Sequence, residues 1–188
     1  MTKVAVFASG SGSNAENIIN YFKKNKAADI ALVVSNKEDA YVHQRAKKLG
    51  VESVTFSGND FYHTDKVLEC LLQKNMDFIV LAGFLLKIPD NLLHAYPNKI
   101  VNIHPALLPK FGGKGMYGDN VHKAVIEAGE TESGITIHYV NEDYDRGAVI
   151  FQAKCPVLAS DNYQDVAKKV HALEYMHFPV IIDKLLNG

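Results

Sequence analysis

Two polar side chains near the middle of the chain have the spacing of a catalytic pair. Asn102 and His104 stand two apart in Ile100-Val101-Asn102-Ile103-His104-Pro105, and in an extended strand residues two apart share a face. An amide beside an imidazole can donate to one developing oxyanion, and the imidazole can also carry a proton. Pro105 holds His104 in the extended region, which fixes its direction. Val101 and Ile103 point the other way, into apolar packing. A lone histidine would read as a hydrogen-bonded structural group; the neighbouring amide argues against that for His104.

A second stretch, Gly10-Ser11-Gly12-Ser13-Asn14, follows the apolar run Val4–Ala8 and precedes a helical pattern over Ala15–Lys24. Glycines let a ligand approach the backbone. A helix N-terminus adds unpaired N–H groups and the positive end of a dipole, which together suit a phosphate. Ala15 completes a G-x-G-x-x-A pattern, but a dinucleotide site also wants an acid near the end of the next strand. Ser35 and Asn36 stand there, and the Gly-Lys-Ser/Thr ending of a triphosphate loop is missing. The turn reads as a monophosphate site. The simpler alternative is a tight strand-to-helix turn with Ser13 or Asn14 as the helix cap.

A third stretch, Asn141–Gly147, carries Glu142, Asp143 and Asp145. A carboxylate beside a histidine would raise its pKa and orient it. Spacing alone brings Asp145 to no such partner and leaves the loop a solvated acidic hairpin.

Apolar runs alternating with amphipathic stretches must position these groups. Strands are predicted at Val4–Ala8, Ile30–Ser35, Val51–Phe56, Phe78–Ala82 and Ile100–His104. Helices are predicted at Ala15–Lys24, Asp39–Leu49, His63–Lys74 (with Val67, Leu68, Leu71 and Leu72 inward) and Ile88–Tyr96. That alternation implies βαβ units and a Rossmann-like, doubly wound, mostly parallel sheet of the α/β class. Gly134–Val140 and Ala148–Val157, joined by a short turn, read as an antiparallel C-terminal strand pair. Asp161–Leu186 reads as a long closing helix interrupted near Pro179. In such sheets ligands bind beyond the carboxyl ends of the strands, which is where all three stretches fall.

Composition narrows the partners. Lys+Arg 20 against Asp+Glu 21 gives a net charge of −1, so no basic surplus points to nucleic acid. No apolar run approaches the ~20 residues of a membrane span. Met1–Phe7 reads as a first strand rather than a signal peptide. Cys70 and Cys155 form no CxxC and no zinc spacing, so no metal is expected and a reducing, cytoplasmic setting is. At 188 residues the expectation is one domain over residues 1–188.

Four stretches together, in this order, resemble the folate-dependent formyltransferase family. They are Gly10-Ser11-Gly12-Ser13-Asn14, Val80-Leu81-Ala82-Gly83-Phe84, Asn102-Ile103-His104-Pro105-x-Leu107-Leu108-Pro109 and Asp145-x-Gly147. The resemblance covers essentially the whole chain. It implies direct transfer of the formyl group of 10-formyltetrahydrofolate, a co-substrate, to the amine of phosphoribosylglycinamide in purine synthesis, through a tetrahedral intermediate. By resemblance His104 is the proton donor and oxyanion stabiliser, Asn102 binds the formyl oxygen, and Asp145 raises the His104 pKa and organises water. Gly10, Ser11, Gly12, Ser13 and Asn14 would hold the phosphate, and Glu174, with His171 one turn before it, would meet the ribose or glycinamide of the ribonucleotide. Leu85, Leu86, Lys87 and Ile88 would line the pterin pocket with Asn102, and Glu142, Asp143 and Tyr144 would close its other wall. His138 matches a family histidine that supports the Asp145 loop.

This chain departs from the family pattern at three places. Leu86 stands where the family carries an Arg, and Phe61-Tyr62 replaces an Arg-Glu pair. Phe111–Gly118 is longer than usual and reads either as a mobile loop over the phosphate side or as a surface insertion. His43, His63, His94, His122 and His177 carry no matching signal. Two branches of the family add a domain, one to hydrolyse formyltetrahydrofolate and one to bind tRNA, and 188 residues are expected to leave no room for either. A nicotinamide-dependent oxidoreductase would use the same glycine turn, but lacks its acid here.

Overall fold

A computed structural model describes residues 1–143 and 145–188. The chain runs β1 (Lys3–Phe7), α1 (Ser13–Asn25), β2 (Asp29–Ser35), α2 (Val42–Lys48), β3 (Glu52–Thr55), α3 (Gly58–His63) and α4 (Lys66–Gln73). It continues β4 (Phe78–Leu81), α5 (Asp90–Ala95), β5 (Ile100–His104), α6 (Asp119–Glu127), β6 (Glu132–Tyr139), β7 (Val149–Pro156) and α7 (Tyr163–Asn187). The strands form one sheet in the order β3-β2-β1-β4-β5-β6-β7. The first five are parallel, and β6 and β7 pair antiparallel. This is the doubly wound sheet with antiparallel strands and closing helix that the alternation of runs implies.

β1 is apolar on both faces because both are covered. Val4 and Val6 join a core with Ile18 and Phe22 of α1 and Val170, Phe178 and Ile182 of α7. Ala5 and Phe7 join a second core with Phe61 of α3, Leu71 of α4 and Leu92 of α5. Strand order reverses between β1 and β4, and a crevice opens at their carboxyl ends.

Several sequence expectations need correction. α7 is continuous through Pro179. Proline leaves the carbonyl four residues back without its helical donor, and here that carbonyl, Tyr175 O, accepts from Asn17 Nδ2 at 3.0 Å. Leu72 is exposed rather than inward, because Val67 and Leu71, four apart, set the buried stripe of α4. The helix expected from His63 begins at Lys66 as α4, and a separate turn that the sequence reading did not include, α3, precedes it, started by a capping box in which Ser57 and Asp60 bond each other's backbone. Neither Ser13 nor Asn14 caps α1; the cap position is Gly12, with no side-chain bond.

Candidate active site

β1 ends at Phe7, and the backbone turns at once into α1. Gly12 has φ +72°, and a Cβ there would sit 2.4 Å from Val42 Cγ2, so only glycine lets α2 pack this closely. The carbonyls of the turn face α2: Gly10 O accepts from Val42 N–H at 3.1 Å and Ser11 O from Arg45 Nε at 2.8 Å. Arg45 is held in turn by Glu16. With two carbonyls drawn toward α2, the N–H groups at the start of α1 are left to a ligand.

β5 carries Asn102 and His104 on one face, while Val101 and Ile103 enter the α1–α7 core. Antiparallel register sets His138 opposite Asn102 and Thr136 opposite His104. His138 Nδ1 meets Tyr139 O at 2.9 Å, which makes it the donor nitrogen, and Nε2 accepts from Asn102 Nδ2, 3.1 Å away. That pairing orients the amide and leaves its second N–H for another acceptor. Thr136, fully buried, donates to Ala106 O at 2.7 Å and accepts from Leu108 N–H at 3.0 Å. The polar face of β6 is therefore a buried clamp on the segment that follows His104.

The acidic loop is not a solvated hairpin throughout. A Cβ on Gly147 would lie 1.5 Å from Tyr139 O, so the loop returns against the end of β6 and carries Asp145 over the histidines. Asp145 Oδ2 lies 3.5 Å from His104 Nδ1, Oδ1 lies 3.6 Å from His138 Nε2, and Oδ2 accepts from Gly113 N–H at 3.0 Å. Burial would raise the Asp145 pKa, but His138, His104 and the Gly113 amide outweigh it and hold the carboxyl low. At His104 two influences oppose burial. Asp145 does push its pKa up, as does the bond from Nε2 to Phe111 O at 2.7 Å. Burial is the larger effect, and the net pKa is lowered from 6.5.

One cavity of about 620 Å³ joins these parts. It is lined by Gly10, Ser11, Gly12, Ser13, Asn14, Asn102, His104, Asp145, His171 and Glu174. At the turn's end Asn14 Nδ2 donates to Glu174 Oε2 at 2.9 Å, and His171 Nδ1 meets the same oxygen at 2.9 Å. Of the stretch Leu85–Ile88, only Leu85 lines this cavity. Its N–H donates to Ser9 Oγ at 2.9 Å, and Ser9 donates to Asn36 Oδ1 at 2.5 Å. Leu86 and Ile88 pack on the α3–α5 core, and Lys87 and Ile88 border a separate surface groove with Tyr62. Phe61 is buried against Phe7 and Phe84. Glu142 and Asp143 are exposed away from the cavity, and Tyr144 lies outside the described residues.

Sequence reasoning missed Lys37, Asp119 and His122, which also line the cavity. Gly113–Gly118 line it too, so Phe111–Gly118 is part of the site rather than a bystander insertion. The glycines and Lys114 were its signal; His122, on α6, had none. Among the described residues no group of three or more His, Cys, Asp or Glu is placed to hold a metal ion, and no helix is long and apolar enough to cross a membrane.

Comparison with known proteins agrees with this geometry. Residues 2–182 match the formyl transferase family. The chain is 42% identical over 174 residues to the chloroplastic phosphoribosylglycinamide formyltransferase of Arabidopsis thaliana, covering 89% of this chain but only 60% of that one. It is 37% identical to the phosphoribosylglycinamide formyltransferase of Bacillus subtilis, covering 100% of this chain and 96% of that protein. The crystal structure of glycinamide ribonucleotide transformylase 1 from Geobacillus kaustophilus superposes with a TM-score of 0.91 at 36% identity, covering 100% of both chains.

Proposed function

Since this chain belongs to the formyl transferase family, we propose that it transfers the formyl group of 10-formyltetrahydrofolate to the amine of phosphoribosylglycinamide. The observation that carries this reading is the meeting of Asn102, His104 and Asp145 in one cavity with an amide-lined turn. The turn's N–H groups, with Lys37 and Lys114 in the same lining, suit one phosphate. The formyl folate, as co-substrate, would enter beside Leu85 and Asn102, bringing its carbonyl to the free N–H of Asn102.

Attack of the amine on the formyl carbon puts negative charge on the formyl oxygen and leaves a proton to lose from nitrogen. Asn102 would receive that oxygen with a hydrogen bond strongest when the charge is fully formed, and His104 would add a second once it is protonated. Neutral at pH 7, His104 can accept the amine's proton. Asp145, kept ionised by its neighbours, steadies the imidazolium that results, which would return the proton to the folate nitrogen as the tetrahedral intermediate collapses, the bond from the formyl carbon to that nitrogen breaks and tetrahydrofolate leaves. The 3.5 Å between Asp145 and His104 exceeds a good hydrogen bond, which is room for ring movement as charge develops. His138 would position both Asn102 and Asp145. Two free thiols, Cys70 and Cys155, fit a reducing cytoplasmic setting for this chemistry.

The purified chain, given a 10-formyl folate, is expected to release deformylated folate only when phosphoribosylglycinamide is added, followed by absorbance. Release into water alone would indicate a hydrolase. Dependence on charged initiator tRNA would indicate the tRNA branch, and no folate turnover under any of the three conditions would sink the reading.

A further inference from the structure

The glycine turn is gripped from outside by one helix, α2. Val42, the first residue of α2, donates its N–H to Gly10 O at 3.1 Å and fills the space that a Cβ on Gly12 would need. Arg45 stands three residues on, along the same face of the helix. Its Nε–H donates to Ser11 O at 2.8 Å, so α2 meets residues 10, 11 and 12 in turn. The guanidinium is fixed on two further sides. Nη1 pairs with the Glu16 carboxylate, and Cζ stands 5.0 Å from the centre of the Tyr41 ring, a cation–π contact. Neither Arg45 nor Glu16 lines the cavity.

Glu16 lies in the first turn of α1. Side chains there lean back toward the helix N-terminus. The leading N–H groups and the positive end of the dipole attract a carboxylate as well as a phosphate. The cap position is Gly12, which has no side chain to occupy those groups. An untethered Glu16 would compete for the N–H groups that a phosphate needs, and its charge would repel the phosphate. Arg45 draws that carboxylate to the α2 side of the turn and cancels its charge. The same side chain keeps the Ser11 carbonyl on that side, turned from the anion. A forked guanidinium can hold a carbonyl and a carboxylate at once, which a single ammonium does poorly.

We propose that Arg45 is a positioning residue that sets the affinity of the turn for a phosphorylated acceptor, by holding Glu16 away from the N-terminus of α1. The proposal rests on the turn being the phosphate site, as read above. The test is the KM for phosphoribosylglycinamide in the unsubstituted chain, Arg45→Met, Glu16→Gln and the double variant. KM is independent of how much protein is folded. Arg45→Met is expected to raise this KM about tenfold, the scale of one charge at a helix end, with a smaller change in kcat and in the KM for the formyl folate. Glu16→Gln alone should leave the KM nearly unchanged, and added to Arg45→Met it should recover most of the loss. Loss of a cation or of packing alone would not give rescue by a change that is silent by itself. An unchanged KM in Arg45→Met overturns the proposal. So does a Glu16→Gln that lowers the KM equally in both backgrounds, or one that repairs nothing in the double variant. All three leave formyl transfer intact. If the unsubstituted chain does not formylate phosphoribosylglycinamide at all, the functional reading fails first, and this inference falls with it.

Discussion

The two ends of the cavity each pair a histidine with a carboxylate, and the two histidine pKa values shift in opposite directions. At one end His104, its side chain only 4% exposed, faces Asp145 across 3.5 Å, and burial lowers its pKa. At the other, His171 is half exposed and bonds Glu174 at 2.9 Å; the hydrogen bond outweighs burial and raises its pKa. Distance and solvent access decide the sign, not the pairing itself. A neutral imidazole suits a group that must take up a proton; a cationic one suits a wall that meets a phosphorylated ligand.

Breaking the first end should have the largest effect. His104→Ala and Asp145→Asn are each expected to lower kcat by about 10²–10⁴-fold with the folded circular dichroism spectrum retained. A near-normal rate in either variant would remove that residue from the chemistry. Breaking the second end should mainly affect binding. Glu174→Gln is expected to raise the KM for the ribonucleotide by about tenfold, the scale of one lost charge-assisted bond, with a smaller change in kcat. A KM left unchanged would place the ligand elsewhere.

The comparison sharpens by NMR titration of the two imidazoles. His104 should titrate below 6.5 and His171 above it. Asp145→Asn should push His104 lower still, because Asp145 works against burial, and Glu174→Gln should drop His171. The linked stabilities have opposite signs. The depressed His104 costs stability as pH falls below 6.5, where the unfolded chain binds the proton more readily. The raised His171 contributes stability that is complete below 6.5 and is lost as pH rises through its folded pKa. Equal titration of both rings would erase the contrast.

The smallest effect concerns the helix that carries the second end. Asn17→Ala should cost about 0.5–1.5 kcal/mol in urea unfolding by stranding the Tyr175 carbonyl, one residue from Glu174. No loss would mean the Pro179 gap needs no such partner.

How much of this was legible beforehand depended on whether a feature is local. The period-two placement of Asn102 and His104 was legible, because β geometry sets it within three residues. That the glycine turn links a strand end to the start of α1 was legible for the same reason. The position of Asp145 was not: it follows from Gly147 passing against Tyr139 O, a contact between segments that spacing does not describe. The donor that meets the carbonyl freed by Pro179 is Asn17, 158 residues from its partner Tyr175. The folate stretch was legible only in part. Leu86 and Ile88 proved to be core, since apolar residues beside a pocket and apolar residues beneath it look alike in a string of letters.

By itself the amino-acid order determined the α/β alternation, the strand ends where ligands gather and the pair that β5 presents. Those follow from periodicity and backbone stereochemistry, which act over a few residues. Only the tertiary structure decided that Asp145 reaches His104, that burial overrides that carboxylate, and that His122 joins the site. Each depends on distance and desolvation between elements far apart in the chain, and both quantities exist only once the sheet has brought them together.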